Sequence, residues 1–273
     1  MRVLVVTAVQ VEAESVAAGL SSATAAPIAP GGGARQGGEG PTAGSVVHGL
    51  SAHGLRVDGL DVDVLVAGVG PAAAAAATAK ALTATSLMSG AYPNGAYDLV
   101  ISAGIGGGFA PTAPIGALVV ADSIVAADLG AETPDGYLGV EALGFGRSTH
   151  APSPLSAQLA DALDAVHGPV LTVSTVTGTA ARAAELTVRH PRAAAEAMEG
   201  FGVAEAAAAH GIPVLEIRAV SNAVGPRDRA AWRIGDALDV LRLAFAGLGP
   251  ALGPAAGSGP KAGPRPVIEE EAR

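Results

Sequence analysis

The chain has 273 residues, a formal net charge of −9, 49% hydrophobic but only 15% charged residues, and no cysteine. That length and apolar content allow one large α/β domain or two small ones with a sizeable core, and the acidic balance argues against nucleic acid or an anionic membrane as the main partner. Without cysteine there is no disulfide framework, thiolate metal site or cysteine nucleophile, and the 6 scattered histidines lack the spacing of a metal site.

Val3–Val6 is a continuous β-branched and leucine run, the pattern of a short strand buried on both faces. No apolar leader precedes it, so no secretory signal is expected and the protein reads as cytoplasmic. A helix follows from Val11 to about Leu20, which puts Glu12 and Glu14 in a first helical turn at the carboxyl end of the strand. Ligands bind at that edge of an open parallel sheet; the competing reading, dipole-favoured surface carboxylates, should hold for at least one of the two. Residues 21–44 collapse to Ala, Gly, Pro, Ser and Thr and read as a flexible insertion. After weak strands at 46–50 and 54–57 comes a clear one, Val62–Ala67. It runs into Gly68-Val69-Gly70-Pro71-Ala72-Ala73 and a helix to about Leu87, a strand–GxGxxA–helix series that looks like a dinucleotide fingerprint. Neither Asp nor Glu occurs between Pro71 and Tyr97, so the acidic partner of such a site is missing. A tight turn with Pro71 at the first helical position explains the motif better, and the run is too rich in Ala, Thr and Lys to span a bilayer.

Tyr97–Ser102 is another buried strand, followed by Ala103-Gly104-Ile105-Gly106-Gly107-Gly108. Glycines this dense let backbone amides approach a ligand closely, which favours a ligand loop over a mobile turn; without a following Gly-Lys-Ser/Thr it is not a P-loop. A strand is expected over 116–122, and an irregular stretch over 123–153 that either lines a pocket or crosses the surface. Leu155–Val166 has helical spacing, Val170–Val176 reads as a strand, and Thr177-Gly178-Thr179 caps a helix to about His190. A strand over 195–199 then hands over to a helix over 201–210. Glu199 stands there in a small, apolar run, where an ionised carboxylate needs hydrogen bonds or a partner; a solvated carboxylate at a helix N-terminus is an equal alternative. Pro213–Val220 is a strong strand ending in Ser221-Asn222-Ala223-Val224-Gly225. The last helix is expected from Trp232 to Phe245 with Trp232 packing inward, and 247–273 as a disordered tail. Strands and helices alternate, and each distinctive polar residue falls at a strand's carboxyl edge. The prediction is a single α/β domain over 1–246, a central mostly parallel mixed sheet flanked by helices, with one cleft.

Glu12, Ser102-Ala103-Gly104, Met198-Glu199 and Arg218-Ala219-Val220-Ser221-Asn222, in that order, resemble the nucleoside phosphorylase and nucleosidase superfamily. The likeness is strongest to its methylthioadenosine/S-adenosylhomocysteine nucleosidase branch and, within it, to the enzymes that cleave the inosine-type nucleoside futalosine in menaquinone biosynthesis. Ser221–Ile234 is the most specific part, and the resemblance covers roughly residues 1–246 outside the insertion. It implies a nucleoside phosphorylase-like fold, an N-ribosyl hydrolase without cofactor or metal, a small-molecule nucleoside as partner, and a homo-oligomer, dimer or larger. It implies that Glu199 binds the ribose hydroxyls, that Met198 packs against the sugar, that Glu12 is the general base, and that Ser102, Ala103 and Gly104 line the position beneath the sugar. A carboxylate accepting two O–H bonds is a strong clamp, strengthened as positive charge develops on the ribose.

The departure is Asn222, where the adenine-specific nucleosidases carry Asp. An amide cannot protonate N7, but its NH2 and C=O can meet N7–H or O6 of a 6-oxopurine, which favours hypoxanthine over adenine. No Lys or Arg lies between Lys80 and Arg147, so hydrolysis is favoured over phosphorolysis unless a basic residue folds in from elsewhere. Arg147, Arg182 and Arg189 are candidates to meet a carboxylate on the 5′ substituent. The alternatives are a methylthioadenosine-type nucleosidase, a purine nucleoside phosphorylase and a non-catalytic nucleoside-binding module.

Overall fold

The computed structural model describes residues 1–23, 46–47, 50–57, 59–87 and 97–253. In chain order they form β1 (Arg2–Thr7), α1 (Gln10–Ala23), β2 (Val46–Val47), β3 (Leu50–Val57), β4 (Leu60–Val66), α2 (Pro71–Leu87), β5 (Leu99–Gly108), β6 (Leu118–Ala126), β7 (Gly130–Thr133), β8 (Gly136–Gly139), β9 (Thr149–His150), α3 (Leu155–Ala162), β10 (Val166–Thr172), α4 (Ala180–Arg189), β11 (Ala195–Ala197), α5 (Gly200–Ala209), β12 (Val214–Ala223), a 3-10 turn (Arg229–Ala231), α6 (Ile234–Ala246) and α7 (Leu248–Leu252).

Every residue of β1 is buried, and the period of two sorts its side chains between two cores. Val3 and Val5 pack with Val16 and Leu20 of α1 and Leu241 and Phe245 of α6. Leu4 and Val6 pack with Leu82 of α2 and Val203 of α5 on the other face. The unbroken apolar run of β1 is thus the signature of a strand covered by helices on both sides. In the sheet β1 lies parallel between β4 and β5, and β12 is parallel to β5 on its far side. Beyond β12 come β6, antiparallel to it, then β10 and β11 in parallel. The end of β5 reaches β11 as well, pairing antiparallel at Gly107 and Gly108. Strands β5, β12, β6, β10 and β11 therefore close into a ring, with β1, β4 and β3 extending from one side. No helix among the described residues is long and apolar enough to cross a membrane.

The structure corrects several expectations. The glycines after Ser102 do not form a loop: β5 runs through them to Gly108, because a strand without side chains is what β12 and β11 can both pair with. The stretch 123–153 is not irregular throughout, since β6 continues to Ala126 and β7, β8 and β9 follow. Helix α3 stops at Ala162; Asp164 adopts a left-handed conformation (φ 51) and Val166 opens β10 instead of completing the apolar stripe. Trp232 is outside the last helix, which begins at Ile234, and is only half-buried. Leu248–Leu252 forms a further helix with both leucines buried, so order extends past residue 246; two apolar residues four apart were masked by the surrounding Gly, Pro and Ala. The rest of that tail, 254–273, and residues 24–44 of the insertion lie outside the described residues.

Candidate active site

Because β1, β5 and β12 run in parallel, the carboxyl end of β1 and the middles of β5 and β12 bring Glu12, Ser102, Gly104 and Arg218 to one place. Glu12 stands in the first turn of α1 and bends back over the end of β1. Its Oε2 accepts from the amides of Ala8 (3.0 Å) and Val9 (3.2 Å), and its Oε1 from the amide of Ile105 (2.9 Å). These bonds fix the carboxylate in a buried position. Burial nevertheless pushes its pKa above the usual carboxylate range, against the pull of the Ile105 amide and the Arg218 guanidinium, with Glu199 adding to the rise.

Glu199 occupies the N-cap position of α5 and is buried. It is not a solvated dipole carboxylate. Its Oε1 accepts from the amide of Gly70 (3.2 Å), and its Oε2 lies 3.2 Å from Nη1 of Arg218. The Gly68-Val69-Gly70 turn thus presents its amide to a protein carboxylate where a dinucleotide fingerprint would present it to a pyrophosphate. Met198, half-buried, leads from β11 into this corner.

Arg218 is the organising cation, and the sequence reading gave it no role. It is 1% exposed. Its Nε donates to Glu216 Oε1 (2.9 Å) and its Nη2 to Ser102 Oγ (3.0 Å), while Nη1 faces Glu199. Burial opposes its charge, but Glu216, Glu199 and Glu12 outweigh that and hold its pKa above the ordinary value. Glu216 is fully buried, and its Oε2 has no hydrogen-bond partner among the described residues; burial pushes its pKa up despite Arg218. The missed signal was present in the strand pattern: Glu216 and Arg218 are two apart, hence on one face of a strand otherwise apolar.

Two glycines make this crowding possible. A Cβ on Gly104 would stand 2.6 Å from Glu12 Oε1 and 2.8 Å from Arg218 Nη1, so the two groups meet across the missing side chain. A Cβ on Gly200 would lie 2.1 Å from Glu216 Oε2. Ser102 is fully buried and faces Arg218, whereas Ala103, on the opposite face of β5, has its side chain in the apolar core and can offer the cleft only backbone. Asn222 sits past a bulge in β12, opposite Gly107, with its Oδ1 accepting from Ser221 Oγ (2.9 Å) and its Nδ2 donating to Ala223 O (3.1 Å). On the other side of Gly107 stands Glu196, buried, its carboxylate held by the amide (2.8 Å) and hydroxyl of Thr177. Among the described residues no group of His, Cys, Asp or Glu is arranged to hold a metal ion.

A twisted mixed sheet with a buried arginine among carboxylates at its carboxyl edge defines a polar small-molecule site on an α/β scaffold. Residues 24–248 match the family model of the phosphorylase superfamily, and the chain belongs to that superfamily. Curated relatives give a finer likeness. The chain is 71% identical over 157 residues to the futalosine hydrolase of Streptomyces coelicolor, covering 57% of this chain and 67% of that one. To that of Acidothermus cellulolyticus it is 51% identical over 161 residues, covering 57% and 66%; to that of Thermus thermophilus, 34% over 146 residues, covering 52% and 64%. The matches thus span about two thirds of each relative's length. Among solved structures, the 5′-methylthioadenosine/S-adenosylhomocysteine nucleosidase of Neisseria meningitidis in complex with methylthio-immucillin-A superposes with a TM-score of 0.66 at 20% identity, covering 90% of this chain and 97% of that one. The S. pneumoniae nucleosidase with a transition-state inhibitor gives 0.68 at 20%, covering 91% and 100%. At such identity the likeness speaks for the fold.

Proposed function

We propose that the chain is an N-ribosyl hydrolase that cleaves futalosine with water to dehypoxanthine futalosine and hypoxanthine, acting in menaquinone biosynthesis in the cytoplasm. The substrate follows from the three futalosine hydrolases it resembles, and the reaction class from the site. The observation that carries hydrolysis over phosphorolysis is the engagement of Arg218. A cation does fold in from β12, but its Nε and Nη2 are bonded to Glu216 and Ser102, and its Nη1, without a hydrogen-bond partner among the described residues, faces the Glu199 carboxylate, so a phosphate brought there would face Glu12 and Glu199. Water suits the position instead.

In this reading Glu12, its pKa raised by burial, takes the proton as water attacks the anomeric carbon. Its oxygens are aimed by the three backbone amides that hold them. Glu199 accepts from the ribose hydroxyls and stabilises the positive charge that grows on the sugar as the glycosidic bond breaks, and Met198 lies against the sugar. Ser102 and Gly104 border the water position, and Ala103 contributes through its backbone. Asn222 presents an amide to the 6-oxopurine; it has no proton to give, so the departing base takes one from solvent. Exposed Val9, Val11 and Val69 flank Glu12 and Gly70, a placement that supports a homo-oligomer, dimer or larger, closing over this edge.

The test is product analysis on futalosine, inosine and methylthioadenosine, each with and without phosphate. Hypoxanthine released from futalosine at a rate independent of phosphate supports the proposal. Adenine released from methylthioadenosine at a comparable rate would sink it in favour of the methylthioadenosine-type reading, and strict dependence on phosphate would make the enzyme a phosphorylase.

A further inference from the structure

Beyond Asn222 the chain leaves β12 and builds a rim. The amide of Arg227 donates to the Gly178 carbonyl (3.1 Å), and after the 3-10 turn the amide of Arg233 donates back to the Ser221 carbonyl (2.8 Å). Both anchors belong to the cleft: Ser221 adjoins Asn222, and Gly178 follows Thr177, which holds Glu196 beside β5. On this rim stands the chain's 1 tryptophan. The guanidinium carbons of Arg227 and Arg229 lie 5.2 Å and 5.8 Å from the centroid of Trp232. Contact with an indole orients a guanidinium while leaving its N–H edge for an acceptor. Among the described residues neither arginine is paired with a carboxylate: Asp228, between them in sequence, caps the amide of Ala230 (3.0 Å), and Asp236 is taken by Arg233 (2.9 Å).

The other arginines considered for an anionic substituent are committed. Arg147 lies 3.6 Å from Glu205. Arg182 pairs with Glu185 at 2.7 Å. Arg189 lies 3.3 Å from the same carboxylate and 4.0 Å from the Tyr137 ring centroid. The depression of about 330 Å³ beside Arg182 is lined by Asp128, Glu132 and Glu185, which repel an anion.

We propose that Arg227 and Arg229, oriented on Trp232, form a grip for an aryl carboxylate carried on the 5′ side of the nucleoside. This rests on the hydrolase reading above for its substrate, since futalosine bears a carboxyphenyl group there. It assigns recognition of that group to the rim after β12, one strand end away from the base-facing Asn222, and gives two unpaired guanidinium groups an acceptor whose planar geometry matches theirs.

Two measurements test it. First, the ratio of kcat/KM for futalosine to that for inosine, which lacks the aryl carboxylate, is compared between the wild-type chain and Arg227→Ala/Arg229→Ala. The ratio should fall about tenfold or more, as expected on losing charge-assisted contacts to one ligand group, chiefly through KM, with partial recovery in Arg227→Lys/Arg229→Lys. An unchanged ratio overturns the grip. Second, the fluorescence of Trp232 is titrated with benzoate and with neutral benzamide. Benzoate alone should change it, and the double alanine variant should abolish the response; an equal response in wild type and variant overturns the grip. Wild type that fails to cleave futalosine yet shows the arginine-dependent benzoate response would remove the hydrolase reading and leave the grip standing.

Discussion

Replacing Gly104 with alanine tests whether Glu12 and Arg218 work as a pair across the bare backbone of β5. Gly104 lies in a regular strand, so alanine suits its backbone; the obstruction is lateral. The new Cβ would stand 2.6 Å from Glu12 Oε1, 3.0 Å from its Cδ and 2.8 Å from Arg218 Nη1. Reaching ordinary contact requires the carboxylate oxygen to retreat by about 0.8 Å and the guanidinium by about 0.6 Å. Oε1 would then leave its 2.9 Å bond from the Ile105 amide, and the carboxyl group that aims the water would swing away. A displacement near 1 Å at a reacting group costs roughly 100-fold in rate. Stability should fall by no more than about 2.5 kcal/mol, since overpacking costs about 1–3 kcal/mol and replacing a strand glycine returns roughly 0.5–1 kcal/mol. The assay is hypoxanthine release at saturating futalosine, beside a thermal melt. A folded Gly104→Ala protein within threefold of wild-type kcat would refute the pairing.

Three further outcomes are expected. Glu12→Gln keeps the shape but not the base, and kcat should drop by about 10²–10⁴-fold while substrate still binds in an equilibrium assay; in the wild type, kcat should decline with falling pH through the raised pKa of Glu12, above the ordinary 4.5, and a profile flat down to that value would contradict the role. For Glu216 the folded pKa is raised above the unfolded 4.5, so its contribution is fully present below 4.5 and is lost as pH rises through the folded value. The Tm of Glu216→Gln relative to wild type should therefore improve steadily from pH 4.5 upward; a constant difference would show that Glu216 does not titrate abnormally. Asp63 takes both Arg2 (2.8 Å) and the hydroxyl of Tyr97 (2.7 Å) beneath the sheet, and Asp63→Ala should lower stability by about 3 kcal/mol in urea unfolding without altering KM.

The alternation of buried strands with helices was readable because β1 and the start of β5 carry runs that only a two-sided sheet can bury. Glu12 and Glu199 were readable as strand-edge polar residues, whereas Ser102, expected at a strand end, lies inside β5. Three things were not. The glycines of β5 looked like a loop, since a local reading sees a lack of side chains and cannot see that two neighbouring strands and two charged groups occupy the space. Arg218 was hidden inside a strand whose apolar neighbours set the expectation, although its spacing from Glu216 was a clue that a charge pair lies within the sheet. The ring closed by β11 depends on a pairing of β5 with a strand nearly ninety positions later, and no local periodicity reports so distant a contact. Trp232 was misplaced because it directly precedes the apolar stripe of the last helix, while the turn at Arg229 holds it on the rim.

The fit between Gly200 and Glu216 also constrains how such a chain can change over generations. Helix α5 begins against β12 with no room for a methyl group while Glu216 is present, so Gly200→Ala is closed to any lineage that keeps this carboxylate. A smaller neutral residue at 216 lifts the restriction, but it strips Nε of Arg218 of its acceptor. The order of events is therefore fixed: 216 must yield before 200, and the guanidinium must find another anchor in between. Descendants can therefore carry Gly200 without Glu216, but not a larger residue at 200 together with Glu216, a one-way dependence that tracks the arginine's setting rather than the fold.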